Sequence, residues 1–217
     1  KEVKLLLATK TVNPERIQQA FAAGYTLIAE NKVQELKEKY EALKATPHTN
    51  HFIGHLQTNK IKDILKYDVS CVESLDRYDL AEKLHQKLSQ VGREMDVFIQ
   101  VNTSGEESKF GVAPEEALAL TRQVAQLPTL HIRGLMTIGL FSAEEDKVRK
   151  CFQLLKSIQQ QIFALNLPDV QPHELSMGMS GDLEVAIAEG ATIVRVGTAI
   201  FGKRIYPDSY YWNEQKA

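Results

Sequence analysis

The chain is poor in cysteine and in long apolar runs, and both shortages narrow what it can be. Cys71 and Cys151 are the only two cysteines in 217 residues, and each lies in an apolar segment. Two distant cysteines do not build a disulfide scaffold, so we expect buried free thiols and a reducing, cytoplasmic location. No apolar stretch approaches the ~20 residues that cross a bilayer, so a membrane span is not expected.

An excess of charge of either sign is also missing. The 26 basic and 28 acidic residues give a net charge of −2 and are spread along the chain. Binding to a phosphate polymer or to an anionic membrane would require a basic patch. We therefore expect neither nucleic acid nor membrane as a partner.

The sequence does contain a regular alternation of short β-rich runs and longer helical ones, which is typical of an α/β fold. Eight strands are predicted, at residues 3–8, 26–29, 51–53, 69–73, 97–102, 132–137, 174–177 and 192–196. Apolar stripes at helical spacing lie between them, and we expect these stripes to pack in the core. One such stripe is formed by Ala81, Leu84, Leu88 and Val91.

Eight such units can form either a doubly wound open sheet or a closed barrel. A doubly wound open sheet binds its ligand through a Gly-rich loop after the first strand, and this chain has no such loop. We therefore predict an α/β fold of the (β/α)8 TIM barrel type, with residues 1–217 as a single domain.

Lys10 closes the first apolar run and precedes a helix-start signal, Asn13-Pro14. In a barrel of this type the active site lies at the carboxyl ends of the strands. A partly desolvated amine loses its charge more readily than one in water, and a neutral amine can form a Schiff base with an aldehyde. Lys10 therefore predicts an aldehyde cofactor, with a solvated surface lysine as the alternative.

A phosphate site is predicted where strands seven and eight end, because these loops form the usual phosphate site of the barrel. Gly197 would let the backbone come close to a ligand, and Thr198 would open a helix with exposed N–H donors. Ser176 and Ser180 would add hydroxyl donors from the neighbouring loop. Ordinary loop and cap chemistry is the alternative.

Six segments of the chain form a recognisable set. They are LLATK at 6–10, AENKVQE at 29–35, HFIGHLQTNK at 51–60, GLMT at 134–137, LSMGMS at 175–180 and RVGTAIFG at 195–202. In combination they resemble the pyridoxal 5′-phosphate (PLP) homeostasis proteins, the YggS or PROSC family, over nearly the whole chain. The resemblance implies a barrel like the N-terminal domain of alanine racemase, with PLP held as a Schiff base on Lys10.

The resemblance also implies which residues bind the cofactor. Ser176 and the Gly197-Thr198 turn would contact the phosphate, and Arg195 would face the pyridine nitrogen. The full set carried over from the matching segments is Lys10, Asn31, Met136, Ser176, Ser180, Arg195, Gly197 and Thr198. No catalytic residue is expected.

Two departures from the family pattern are visible. Relatives usually carry a helix before the first strand, whereas this chain starts almost inside that strand, so the helix is expected to be absent. The lysine segment reads ATKTV at 8–12 where many relatives have VSKTK. A second basic residue near the cofactor is therefore expected to be lost.

The expected function is to carry or buffer PLP in intracellular vitamin B6 homeostasis, without an efficient reaction. A guanidinium at Arg195 cannot accept a proton, so it would keep the pyridine ring neutral and a weak electron sink. Alanine racemase takes a tyrosine base from a second domain that we do not expect here, and Tyr210 and Tyr211 are expected in a solvent-facing tail. A racemase-like PLP enzyme acting on an amino acid is the alternative.

The partners predicted from this interpretation are PLP itself and apo PLP-dependent enzymes, and a monomer is expected. Two other classes of site are not expected. His51 and His55 have the i, i+4 spacing of helical zinc ligands, but in an extended chain that spacing separates side chains by more than ~13 Å. Residues 197–204 nearly spell a P-loop, yet Arg204 stands where a Ser or Thr should bind Mg²⁺.

Overall fold

The strands of the computed structural model, which describes residues 2–202, close into a parallel barrel in sequence order. They are β1 (Lys4–Ala8), β2 (Leu27–Glu30), β3 (Thr49–Phe52), β4 (Cys71–Leu75), β5 (Met95–Gln100), β6 (Leu130–Met136), β7 (Glu174–Met179) and β8 (Ile193–Val196). The last strand pairs with the first, with Leu6 beside Arg195. The predicted (β/α)8 barrel is therefore confirmed.

A helix follows each strand. The helices are α1 (Pro14–Ala22), α2 (Val33–Leu43), α3 (Ile61–Lys66), α4 (Tyr78–Val91), α5 (Ala117–Val124), α6 (Glu145–Ala164), α7 (Leu183–Ala188) and α8 (Thr198–Phe201). Two 3₁₀ turns, Thr58–Lys60 and Pro114–Glu116, lead into α3 and α5. Within residues 2–202 no helix has the length and apolar character that a membrane crossing requires.

Alternate strand residues face opposite sides of the barrel wall. One set meets across the barrel interior, because its members come from six different strands and pack together: Leu6, Ala29, Cys71, Phe98, Met136 and Ile193. The other set packs against helices, as Leu7 and Ile28 do against Ile17 and Phe21 of α1. This alternation decides which polar residues near the strand ends enter the barrel.

Local signals set the helix ends. Asn13 caps α1 by accepting a hydrogen bond from Arg16 N at 3.1 Å, and Pro14 opens that helix. Helix α4 ends on Gly92, whose φ of +63° lies in the left-handed region. The stripe predicted on α4 is wrong at its last position, because Val91 is 57% exposed. Val91 is the last residue of the helix, and its side chain lies beyond the part of α4 that packs against the core.

The structure can be compared with the predictions made for the strand bounds, for the cysteines and for the C-terminal residues. The predicted strands are found, with bounds shifted by one or two residues; β5 begins at Met95 rather than at residue 97, for example. Cys71 and Cys151 are buried free thiols, as expected. The predictions for Arg204, Tyr210 and Tyr211 concern positions outside the described residues.

Candidate functional site

Lys10 lies at the mouth of the barrel, two residues beyond β1. The hydrogen-bond ladder continues past the strand, since Thr9 N donates to Ala29 O at 3.0 Å. Alternation therefore puts Lys10 on the inward face, together with Leu6. Only 8% of Lys10 is exposed. A solvated surface lysine, the alternative considered from the sequence, does not fit this degree of burial.

The register between β1 and β8 relates Lys10 to the predicted phosphate turn. Leu6 is level with Arg195, and Leu7 with Val196. Extending this register by three residues brings Lys10 level with the start of α8, which begins at Thr198. Arg195 lies deeper in the barrel by four residues of strand. The backbone at Lys10 and the turn therefore lie at the same end of the barrel, and the backbone of Arg195 lies below them.

A layer of polar side chains crosses the barrel interior under the mouth. Arg195 Nη1 donates to Ser176 Oγ at 2.9 Å, and Nη2 donates to the carbonyl oxygen of Thr137 at 2.7 Å. The Ser176 hydroxyl donates in turn to Glu73 Oε2 at 2.5 Å. The other oxygen of Glu73 accepts from His51 Nδ1 at 2.6 Å. Strands β3, β4, β6, β7 and β8 are thus joined by one network.

The charges within this layer stabilise one another. Burial alone would raise the pKa of Glu73, but the hydrogen bond from His51 and the charges of His51 and Arg195 lower it below its usual range. Burial lowers the pKa of Arg195, and the charges of Glu73 and Asp182 oppose that effect. A guanidinium remains protonated at physiological pH even so. The barrel interior therefore holds a permanent cation whose partner carboxylate is ionised.

The two serines predicted to contact a phosphate occupy different levels. Ser176 is level with Ile193, and its hydroxyl proton is already directed to Glu73. Met179 is level with Arg195, so Ser180 lies beside the end of β8, where the turn begins. The geometry therefore favours Ser180 over Ser176 as the hydroxyl donor near the turn. Both assignments stay predictions.

The turn after β8 has the shape expected of an anion site. The first hydrogen bonds of α8 run from Ile200 N and Phe201 N to Gly197 O. The preceding N–H groups, those of Thr198 and Ala199, are not used within the helix. A Cβ at Gly197 would lie only 3.0 Å from the carbonyl oxygen of Ala8. Glycine therefore allows the turn to approach β1, the strand that leads to Lys10.

The remaining predicted residues also face the barrel interior or its mouth. Met136 ends β6 inside the barrel, and Asn31 follows β2 by one residue, on the inward face. Asn31 Oδ1 and Ser74 Oγ are buried without a hydrogen-bond partner among the described residues. Gly54 brings β3 close to Asn31, because a Cβ there would lie 1.9 Å from the Asn31 carbonyl oxygen. Of these two atoms, Asn31 Oδ1 belongs to a residue on the inward face and is placed to contact a ligand.

The sequence interpretation missed the polar layer and the role of one carboxylate. Glu73 stands in an otherwise uncharged strand and His51 in a β-rich run, and an isolated charge in a buried strand was the signal available. Glu30 also ends a strand, but its side chain faces α2 and meets Lys39 at 2.7 Å. Its position next to Asn31 in the chain therefore does not bring it into the barrel.

His51 and His55 have different partners and do not form a joint site. His51 binds Glu73 inside the barrel, whereas the His55 ring stacks on Phe110, with 4.0 Å between ring centroids. Burial lowers the pKa of His55, and the nearby Asp76 opposes this effect. No cluster of three or more potential metal ligands occurs between residues 2 and 202.

Comparison with known proteins shows the family to which the chain belongs. Residues 3–205 match the model of the alanine racemase N-terminal domain. A pyridoxal phosphate homeostasis protein of Aquifex aeolicus is 44% identical over 206 residues, which cover 94% of this chain and 88% of that protein. The chain belongs to this family. A relative of the same name from Pasteurella multocida is 42% identical, with the same coverage.

Solved structures agree with this membership. PipY of Synechococcus elongatus, whose structure has PLP bound, is 33% identical, with a TM-score of 0.84 and 92% of each chain covered. An alanine racemase of Clostridium difficile is only 13% identical, with a TM-score of 0.78 over 96% of this chain and 54% of that one. That second likeness concerns the fold alone.

Proposed function

We propose that this protein binds PLP through Lys10 and carries or buffers the cofactor for apo PLP-dependent enzymes in the cytoplasm. The observation that carries the proposal is the buried Arg195 guanidinium beneath a shielded lysine. The names of the relatives and the PLP-bound PipY structure support the choice of cofactor.

The residues at the mouth fit such a ligand. Lys10 offers an amine with little solvent access, and Asn31 offers a buried Oδ1 that has no protein partner among residues 2–202. The N–H groups at the start of α8 suit a phosphate dianion at the same level as Lys10. Ser180 would add a hydroxyl donor there, and Met136 would line the interior beneath.

Arg195 supports the carrier interpretation in this proposal through its effect on the cofactor ring. Bound PLP would supply an aldehyde for a Schiff base and a ring that withdraws electrons well only when its nitrogen is protonated. Glu73 and Ser176 hold the Arg195 side chain in place, and its charge disfavours a second positive charge beside it. The site would thus hold the cofactor in a weakly activating state, which suits a carrier.

The test measures turnover and transfer together. The purified protein is loaded with PLP, mixed with alanine in deuterated water and followed for α-hydrogen exchange. The same preparation is then offered to an apo-transaminase. We expect negligible exchange and recovery of transaminase activity. Exchange at rates typical of enzymes, about 1 to 1,000 per second, would favour the racemase-like alternative instead.

A further inference from the structure

Lys10 is the second residue of a tight turn with an unfavourable backbone conformation. Val12 N donates to Thr9 O at 3.0 Å across the turn. Thr11, directly after the lysine, has a φ of +65°. A β-branched residue rarely adopts the left-handed region, because its side chain crowds the backbone there. The turn therefore needs support from elsewhere in the fold.

Helix α2 provides that support with two side chains one helical turn apart. Lys39 Nζ donates to the carbonyl oxygen of Thr9 at 2.7 Å. Glu35 Oε2 accepts a hydrogen bond from the backbone N–H of Thr11 at 2.6 Å. The peptide groups on both sides of Lys10 are thus held by one helix. We call Glu35 and Lys39 the α2 clamp.

The clamp is itself fixed by a buried ion network. Lys39 Nζ lies 2.7 Å from both Glu35 Oε2 and Glu30 Oε1, so its three donor directions are all used. Thr9 Oγ1 donates to the same Glu30 oxygen at 2.6 Å. The side chains of Lys39 and Glu30 are 9% and 2% exposed. Such a network leaves the clamp little freedom to change its partners.

We propose that Glu35 and Lys39 are positioning residues that fix the direction in which Lys10 enters the barrel. This inference rests on the proposed function, in which the Lys10 amine attaches the aldehyde. The clamp lies outside the barrel wall, since Thr9 and Glu30 face α2, and its hydrogen bonds to Thr9 O and Thr11 N reach Lys10 through the backbone. A lysine on an unclamped turn would retain its chemistry but lose its orientation toward the ligand.

The test uses two ligands that differ only at the reacting carbon. PLP has the aldehyde, and pyridoxine 5′-phosphate has an alcohol that cannot form a Schiff base. We expect Glu35→Leu to weaken PLP binding about tenfold, because the released turn must be ordered again when the amine attaches, at a cost of about 1.4 kcal/mol, while the alcohol binds almost as before. Glu35→Gln keeps an acceptor for Thr11 N and should recover most of the loss. Equal weakening of both ligands would reduce the clamp to a structural element and overturn the proposal.

Two further measurements separate this proposal from its alternatives. Glu38→Gln is the matched control, because Glu38 lies on the exposed side of α2 and accepts only from Gln34 in this region; it should change neither affinity.

Reductive methylation with formaldehyde, mapped by peptide analysis, needs no PLP. Lys10 should be labelled faster in Glu35→Leu than in the unaltered protein, because a released turn gains solvent access. If Lys10 is labelled at the same rate in Glu35→Leu and in the unaltered protein, the clamp proposal is wrong, whether or not the protein binds PLP. If the unaltered protein does not bind PLP, the proposed function is wrong, and the labelling result still tests the clamp.

Discussion

Arg195 and Glu73 meet at a single hydroxyl group, that of Ser176, which accepts from the guanidinium at 2.9 Å and donates to the carboxylate at 2.5 Å. All three side chains are buried in the barrel. A buried cation without a nearby anion would carry a desolvation penalty of several kcal/mol, on the order given for ions in protein interiors. Glu73 therefore allows a permanent charge to exist below the mouth.

Glu73→Gln should destabilise the fold by about 3 kcal/mol, because it removes the charge that compensates Arg195 while preserving an acceptor for Ser176. The folded-state pKa of Glu73 lies below its ordinary value of 4.5. The stabilisation is therefore fully present above about pH 4.5 and is lost as pH falls through the folded-state pKa. Urea unfolding of both proteins at pH 4 and pH 7 measures this. A larger difference at pH 4 would contradict the assignment.

Lys10 should be the residue that borohydride fixes to PLP. Lys10 has little solvent access and follows the strand that pairs with β8, which leads to the α8 turn, whereas Lys109 donates to Gly139 O in another part of the mouth. Reduction followed by peptide mapping locates the adduct. Lys10→Ala should abolish the adduct, and Lys109→Ala serves as the matched control. An adduct on Lys109 or Lys60 would rule out the Lys10 assignment.

Much of this fold follows from sequence periodicity. Eight apolar runs separated by helical stripes predict the barrel, and a lysine just after the first run predicts the position of the amine. The strand positions alone do not say which side of the barrel wall each residue faces, and that is set by the alternation of side chains along a strand. It separates Glu30, which faces α2, from Asn31, which faces inward.

The polar layer could not be predicted in the same way. His51 and Glu73 are 22 residues apart in the chain, and Ser176 is 103 residues from Glu73. Their contacts depend on the order in which strands close around the barrel and on the register of each pair. A buried carboxylate in sequence indicates only that some partner exists. The identity of that partner is a property of the assembled sheet.

Serine substitutions should separate the phosphate contact from the support of Arg195. Ser180→Ala is expected to weaken PLP binding about tenfold, the size of one hydrogen bond to a charged group, and to leave pyridoxal binding almost unchanged. Ser176→Ala should weaken both ligands alike, because the Ser176 hydroxyl is directed to Glu73 and accepts from Arg195. Titration of each variant with both ligands decides the point. A loss specific to PLP in Ser176→Ala would return the phosphate contact to that residue.

Glu30 should give stability a pH dependence of opposite sign to that of Glu73. Burial raises the pKa of Glu30 to about 7 from 4.5, although the Lys39 ammonium opposes the shift. Between those pH values the folded protein binds a proton that the unfolded chain does not. The contribution of Glu30 to the free energy of unfolding therefore falls as pH rises from about 4.5 to about 7.

Glu30→Gln removes this titration while keeping an acceptor for Thr9. Relative to the unaltered protein, the variant should gain on the order of 2 kcal/mol in stability between pH 5 and pH 8. Urea unfolding at both pH values measures the gain, and the exposed Glu38→Gln variant should show none. A gain absent from Glu30→Gln would mean that the Lys39 ion pair keeps Glu30 ionised across this range, so that the network around the Lys10 turn carries the same charge at either pH.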